Sequence, residues 1–202
     1  MARRNDHSRE EIKQMALDVA EKLVAENGTS FLTARRIASG IGYTVGSLYL
    51  VFDNLDDLAL QVNARTLDRL SLQLDQTASQ YEQPRRCIVE LGRSYIRFAA
   101  DHPHLWNMIF EIRTPDELKL PEWYQKRILK LFRGVEGQFE KMRPDLPETP
   151  VNTAARALWS GVHGICILAR TGKLDVVGIE NVERASDLLC ESFIDGWIGS
   201  SG

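Results

Sequence analysis

No apolar run in this chain approaches the ~20 residues that carry a helix across a bilayer, so no membrane-spanning helix is expected. The opening MARRNDHSREE lacks the apolar centre of a signal peptide, and the cytoplasm is the expected location. Cysteine is scarce: Cys87, Cys166 and Cys190 are widely separated, odd in number and without a C-x-x-C pair. They read as buried reduced thiols, neither a disulfide frame nor a metal knuckle. Enzyme signatures are missing too. There is no phosphate-gripping glycine loop before a helix, no G-x-S-x-G and no H-E-x-x-H, so no catalytic residue and no cofactor is expected. Strand alternation, repeats and low-complexity tracts are absent. So is any large excess of positive charge: the net charge of -3 and pI near 5.9 exclude a protein that coats nucleic acid without regard to sequence. One local absence matters most. Between Glu26 and Asp53 there is no acidic residue.

What is present is enough for a core. A hydrophobic fraction of 44% in 202 residues suits one medium domain, or a small head on a larger body. Nearly every segment reads as helix. Ser8 with Glu11 is a capping-box pattern opening a first helix, whose stripe of Ile12, Met15, Ala16, Val19, Ala20, Leu23 and Val24 ends at Asn27-Gly28. A fourth helix begins after Asn54, with Asp56 and Asp57 at its positive end, and runs to about Gln80. Pro84, Pro103 and Pro121 stand at further helix starts. Thr149-Pro150 is expected to cap and start a helix through Arg170, stopped by Gly172, and the last helix is expected from about Ile179 to Ile198.

The acid-free stretch holds the most specific signal. Phe31 to Phe52 reads as two short helices around a tight glycine turn. Leu32, Ile37, Ile41, Leu48 and Phe52 fall at helical intervals, Gly42 stands at the reversal, and Thr33 and Thr44 are suited to cap the two helices. The second helix carries small and polar residues, Thr44, Gly46 and Ser47, where a helix buried in a core would be greasier. Arg35 and Arg36 attract phosphate. Through Phe52 seven basic residues (Arg3, Arg4, Arg9, Lys13, Lys22, Arg35, Arg36) face six acidic ones (Asp6, Glu10, Glu11, Asp18, Glu21, Glu26), a slight positive excess over an acidic remainder. Such a unit places its second helix in the DNA major groove.

The residues Thr33, Ile37, Ala38, Gly42, Thr44, Gly46, Leu48, Tyr49, Phe52 and Leu58 resemble the pattern T-x-x-x-I-A-x-x-x-G-V-S-x-G-x-L-Y-x-x-F-x-S-K-x-x-L of the TetR (tetracycline-repressor-like) family of bacterial transcription regulators. The resemblance implies an all-α protein in which a three-helix helix-turn-helix head is joined by a long fourth helix to a helical ligand-binding and dimerisation body. The expected divisions are residues 1–52, 53–80 and 81–202. It implies base contacts from Arg35, Val45, Gly46, Ser47 and Tyr49, with Val51 as a further position. Ser47 can donate or accept, Val45 can touch a thymine methyl, and Gly46 permits close approach. Thr33, Thr44 and Tyr49 suit phosphates; Tyr49 can equally be a head-core aromatic, or do both. Arg3 and Arg4 read either as an arm on DNA or as a solvated terminus. Two departures stand out: Tyr43 in place of a small aliphatic residue, and Leu55 in place of a lysine that holds a phosphate.

Farther along, Phe98-Ala99-Ala100-Asp101-His102-Pro103, Met108-Ile109-Phe110 and the set Trp159, His163, Gly164 resemble the family's C-terminal domain type named for Trp, His and Gly. Bodies of this kind bind effectors and dimerise. The candidate lining of an effector cavity is Tyr95, Phe98, Trp106, Phe110, Trp123, Trp159 and His163, several of which must be plain core; for His163 the competing role is a core histidine bonded to a carbonyl. A mostly apolar ligand with one polar group follows, because that set offers few charges. Ala157, Gly161 and Gly164 form a small-residue strip, and Leu188, Leu189, Phe193 and Trp197 an apolar face, through which a homodimer is expected. His102 and His104 flank a proline and do not converge on a metal. The expected partners are therefore double-stranded operator DNA, an effector of unknown identity and a second copy of the chain. The function expected is a sequence-specific regulator, a repressor released by its effector; an architectural DNA-binding protein without an effector is the alternative.

Overall fold

The computed structural model describes residues 7–111 and 120–199; Arg3 and Arg4 lie outside the described residues. Among these, the elements are α1 (Arg9–Asn27), a 3-10 turn (Thr29–Phe31), α2 (Ala34–Gly40), α3 (Val45–Leu48), α4 (Leu55–Ala78), α5 (Pro84–Asp101), α6 (Pro103–Glu111), α7 (Glu122–Met142), α8 (Glu148–Arg170), α9 (Lys173–Val176) and α10 (Val182–Gly199). The described residues contain no strand, and the chain has the expected all-α class. It divides into two compact units. The first gathers the described residues of Met1–Asp68 and His102–Gln125, the second those of Arg69–Asp101 and Lys126–Gly202.

In the first unit α1 starts as its capping box requires. The Ser8 hydroxyl accepts from the Glu11 N–H at 3.2 Å, and the Ser8 N–H donates to Glu11 Oε2 at 2.6 Å. These bonds hold the Glu11 carboxyl below its ordinary value. Ala16, Leu17, Ala20 and Val24 turn inward and meet Leu32, Ile37, Ile41, Leu48, Phe52, Leu58, Ala59 and Val62, with Leu105 and Met108 of α6 completing the core. α2 lies very close to α1: a Cβ at Gly40 would stand 2.6 Å from Val19 Cγ1. Polar ties join the same helices. Arg65 on α4 reaches Asp18 (2.6 Å) and Gln14 (2.7 Å) on α1. Buried Asn63 donates to the Met108 carbonyl at 3.2 Å, and the Thr29 hydroxyl donates to Glu111.

In the second unit α5, α8 and α10 pack on one another. Gly92 on α5 leaves room for α10, where Cys190 Sγ and Ser186 Oγ would each lie 3.3 Å from an added Cβ. The Arg93 guanidinium then meets the Asp187 carboxylate through two hydrogen bonds of 2.8 and 2.6 Å, and Glu90 at 3.0 Å. Glu90, itself buried, also takes Arg86 at 2.6 Å. Paired charges are tolerable at this depth because each carboxylate has a donor. All three cysteines are buried and unbridged, and burial pushes Cys166 up to about 12 and Cys190 to about 11.

Two boundaries differ from the sequence reading, and one short helix was not in it. α8 starts at Glu148, with Pro147 at the cap position and Pro150 inside the first turn, where its missing N–H has no intrahelical acceptor to lose. α10 starts at Val182, not Ile179: Gly178 sits at φ 77, and the Asn181 side chain accepts from the Arg184 N–H at 2.8 Å, setting the helix start after it. Between them the short α9 follows Gly172 (φ 66). Gly161, read as part of a strip for a second copy, is occupied within the chain. An added Cβ there would stand 2.6 Å from Leu189 Cδ2 of α10.

Candidate nucleic-acid interface

The turn between α2 and α3 is built from its own side chains. Thr33 caps α2 by accepting from the Arg36 N–H at 3.3 Å, and Thr44 caps α3 by accepting from the Ser47 N–H at 3.1 Å. The Thr44 and Ser47 hydroxyls are 2.9 Å apart and hydrogen-bonded. Gly42 takes φ 74, a left-handed conformation that costs glycine little. The Arg36 guanidinium lies over the Phe31 ring at 4.0 Å, so this arginine is steered by an aromatic face. Arg35 is exposed.

α3 is only four residues long, yet its winding continues. The Tyr49 N–H donates to the Val45 carbonyl (3.2 Å), that of Leu50 to Ser47 (3.3 Å) and that of Phe52 to Leu48 (3.1 Å). α3 is therefore one helical turn continued by a tighter turn through Val51, and residues 45–52 present opposite faces. Leu48 and Phe52 are buried in the head core, whereas Gly46 is exposed, Tyr49 is 46% exposed and Leu50 67% exposed. Thr44 is exposed with them, and Thr33, Val45 and Ser47 are half-buried. Val51 packs on the head core, so the outward apolar residue of this segment is Leu50. Sequence reasoning passed over Leu50, although it lies four residues after Gly46 and two on either side from residues assigned inward.

Both departures from the family pattern have structural work. Tyr43 and Leu55 pack against the head core. The Tyr43 hydroxyl is also hydrogen-bonded to His7 Nδ1 at 2.9 Å, tying the residue ahead of the α1 cap to the turn. Nothing in the sequence spacing marks His7 as that partner. At the start of α4, Asn54 Oδ1 accepts from the Asp57 N–H at 2.8 Å, as a cap should.

The seven effector candidates separate into groups. In the second unit the Tyr95 hydroxyl is hydrogen-bonded to His163 Nδ1 at 2.9 Å, and the His163 ring stacks on Trp159 with centroids 5.1 Å apart and planes 23° from parallel. His163 Nδ1 thus has a phenol as a partner. Phe132 meets Trp159 edge-on at 5.6 Å, and the Arg156 guanidinium lies 4.9 Å above Phe132 while donating to Glu136 at 2.8 Å. Burial lowers His163 from its ordinary value and favours the neutral ring. Phe98 is buried in the same unit. In the first unit Trp106 is buried and meets Phe110 edge-on at 5.1 Å, and half-exposed Trp123 meets Tyr124, whose hydroxyl burial pushes up to about 12. His102 precedes α6 and His104 lies in its first turn, with its ring facing Gly28.

Comparison with known proteins bears on both units. Residues 16–62 match the sequence-family model described as bacterial regulatory proteins, tetR family, and residues 88–193, more than half of the chain, match that described as tetracyclin repressor-like, C-terminal domain. Among curated relatives is the HTH-type transcriptional regulator SAB2452 of Staphylococcus aureus (strain bovine RF122 / ET3-1), 25% identical over 178 residues that cover 86% of this chain and 96% of the relative. Among solved structures, a protein of unknown function from Rhodococcus sp. RHA1 superposes with a TM-score of 0.77 at 17% identity, covering 96% of this chain and 98% of its own. The TetR family transcriptional regulator PfmR from Thermus thermophilus superposes with a TM-score of 0.60 at 15% identity, covering 89% of this chain and 97% of its own.

Proposed function

The chain belongs to the tetR family of bacterial regulatory proteins, and from that premise we propose that it is a repressor which binds a palindromic operator as a homodimer and leaves it when a small effector binds. That it is a DNA-binding transcriptional regulator follows from the family; the operator mode, the dimer and the effector are the proposal. The observation that carries it is the outward face of residues 33–50: two capped helical turns, Arg35 exposed, small groups at Gly46 and Ser47, and no carboxylate anywhere between Glu26 and Asp53. Such a surface can approach base edges without repelling phosphate. Thr33, Thr44 and Tyr49 serve the backbone, while Arg35, Val45, Gly46 and Ser47 serve the bases.

The second copy docks on α8 and α10. Leu188 is 66% exposed, and around Gly164 the space that a Cβ would fill is open. Two heads then read half-sites about one or more helical turns apart. The effector is mostly apolar with one polar group, and the Tyr95–His163 pair beside Trp159 supplies the polar recognition. Phe98, buried in the same unit, contributes apolar surface.

The test begins with selection of DNA fragments by the purified protein, followed by fluorescence anisotropy at fixed salt. Arg35→Ala and Tyr49→Ala should each weaken the selected site by about tenfold or more with unchanged melting, because both side chains are exposed. Folded variants that bind as tightly as the parent would overturn the residue assignment. Quenching of tryptophan emission by an apolar metabolite, accompanied by release of the operator, would identify the effector; a library without a hit, with the operator still bound specifically, would favour the architectural alternative.

A further inference from the structure

The segment that faces outward from the turn is unusual in its chemistry. Tyr49 and Leu50 follow one another there, Leu50 is 67% exposed, and Leu55 at the start of α4 is packed against the head core where a phosphate-binding lysine would project. The positions after Ser47 thus lack the cations that a backbone-gripping helix end would carry.

Leu50 also has a specific neighbour. It follows Ser47 by one tight turn, its N–H donating to the Ser47 carbonyl at 3.3 Å. An added Cβ at Gly46 would meet only the Thr44 hydroxyl, at 3.7 Å, so nothing else fills that space. The outward surface thus combines an exposed leucine, a glycine without a side chain and the linked hydroxyls of Thr44 and Ser47. A methyl-sized apolar group with hydrogen-bonding edges next to it suits this surface. In the DNA major groove that description belongs to thymine, whose C5-methyl adjoins its O4 acceptor. Val45, the residue expected to meet such a methyl, is half-buried.

We infer that Leu50 is a specificity-determining residue, contacting the C5-methyl group of a thymine in each operator half-site. This rests on the DNA-binding reading proposed above, and it adds a chemical requirement: recognition depends on a methyl group, not only on hydrogen-bonding edges.

The experiment is a cycle of two changes on the full chain. The operator is selected from random DNA, and each thymine of one half-site is replaced in turn by deoxyuridine, which removes the methyl and keeps every hydrogen-bonding atom. At one position the parent should lose about fourfold in affinity, the equivalent of one buried methylene-sized group, and Leu50→Ala should be indifferent to that same replacement. Circular dichroism and melting of Leu50→Ala should match the parent. Leu50→Met, which keeps an apolar side chain of similar volume, should retain the sensitivity. If Leu50→Ala responds to uridine as the parent does, or no thymine is sensitive, the inference is overturned while the DNA-binding reading stands. If no sequence is selected at all, that reading fails and the inference falls with it.

Discussion

At the scale of single residues, His163 offers a measurable signature. Its ring is half-buried, stacked on Trp159 and bonded to Tyr95, and burial lowers its pKa from the ordinary 6.5. The unfolded chain then binds the proton more readily than the native one. Stability is full above about pH 6.5 and falls as pH drops through that value towards the lower native pKa. Thermal melts between about pH 7.5 and pH 5.5 should show a larger loss for the parent than for His163→Gln; equal losses would remove His163 as the source. The cysteines behave differently. Cys166 and Cys190 are buried thiols with raised pKa values, and the thiolate is the reactive form. Neither should be alkylated at neutral pH until the chain unfolds.

At the scale of elements, close approach between helices decides more than helix propensity does. Gly40→Ala would gain up to about 1 kcal/mol in propensity, but its Cβ would stand 2.6 Å from Val19 Cγ1. A valine on a helix has little freedom to turn aside. Net destabilisation of about 1–2 kcal/mol is expected from the overpacking, read by urea denaturation, and the double variant Val19→Ala/Gly40→Ala should recover most of it. Additive losses in the double variant would contradict the close-approach explanation. Much of this architecture was legible beforehand because its causes are local. The capping box at Ser8, the caps at Thr33 and Thr44 and the reversal at Gly42 depend on residues within a few positions of one another. What was not legible depends on residues distant in the chain: His7 on Tyr43, Leu189 on Gly161, Tyr95 on His163. The start of α10 was missed for another reason. Apolar periodicity continues through Ile179, and only the conformation of Gly178 with the Asn181 cap stops the helix from reaching it.

At the scale of the whole molecule, the proposed dimer can be tested apart from DNA. Leu188→Glu places a charge on the exposed face of α10, and desolvating an unpaired carboxylate there is costly. Light scattering at micromolar concentration should find a monomer, and operator affinity should fall by more than either head substitution causes; a dimer of unchanged mass would direct attention to another face. The composition of the first unit carries a consequence of a different kind. Its core includes Leu105 and Met108, which come after the whole of α5 in the chain. A ribosome delivers residues one by one, at about 5–20 per second. The core of the reading head is consequently incomplete when its own turn emerges, and Leu105 and Met108 of α6 reach it a few seconds later. Nascent chains stalled at residue 80 should remain sensitive to protease in α1, while chains stalled far enough on to expose α6 become resistant. A chain translated only through α4 thus lacks part of the packing that holds the turn in place.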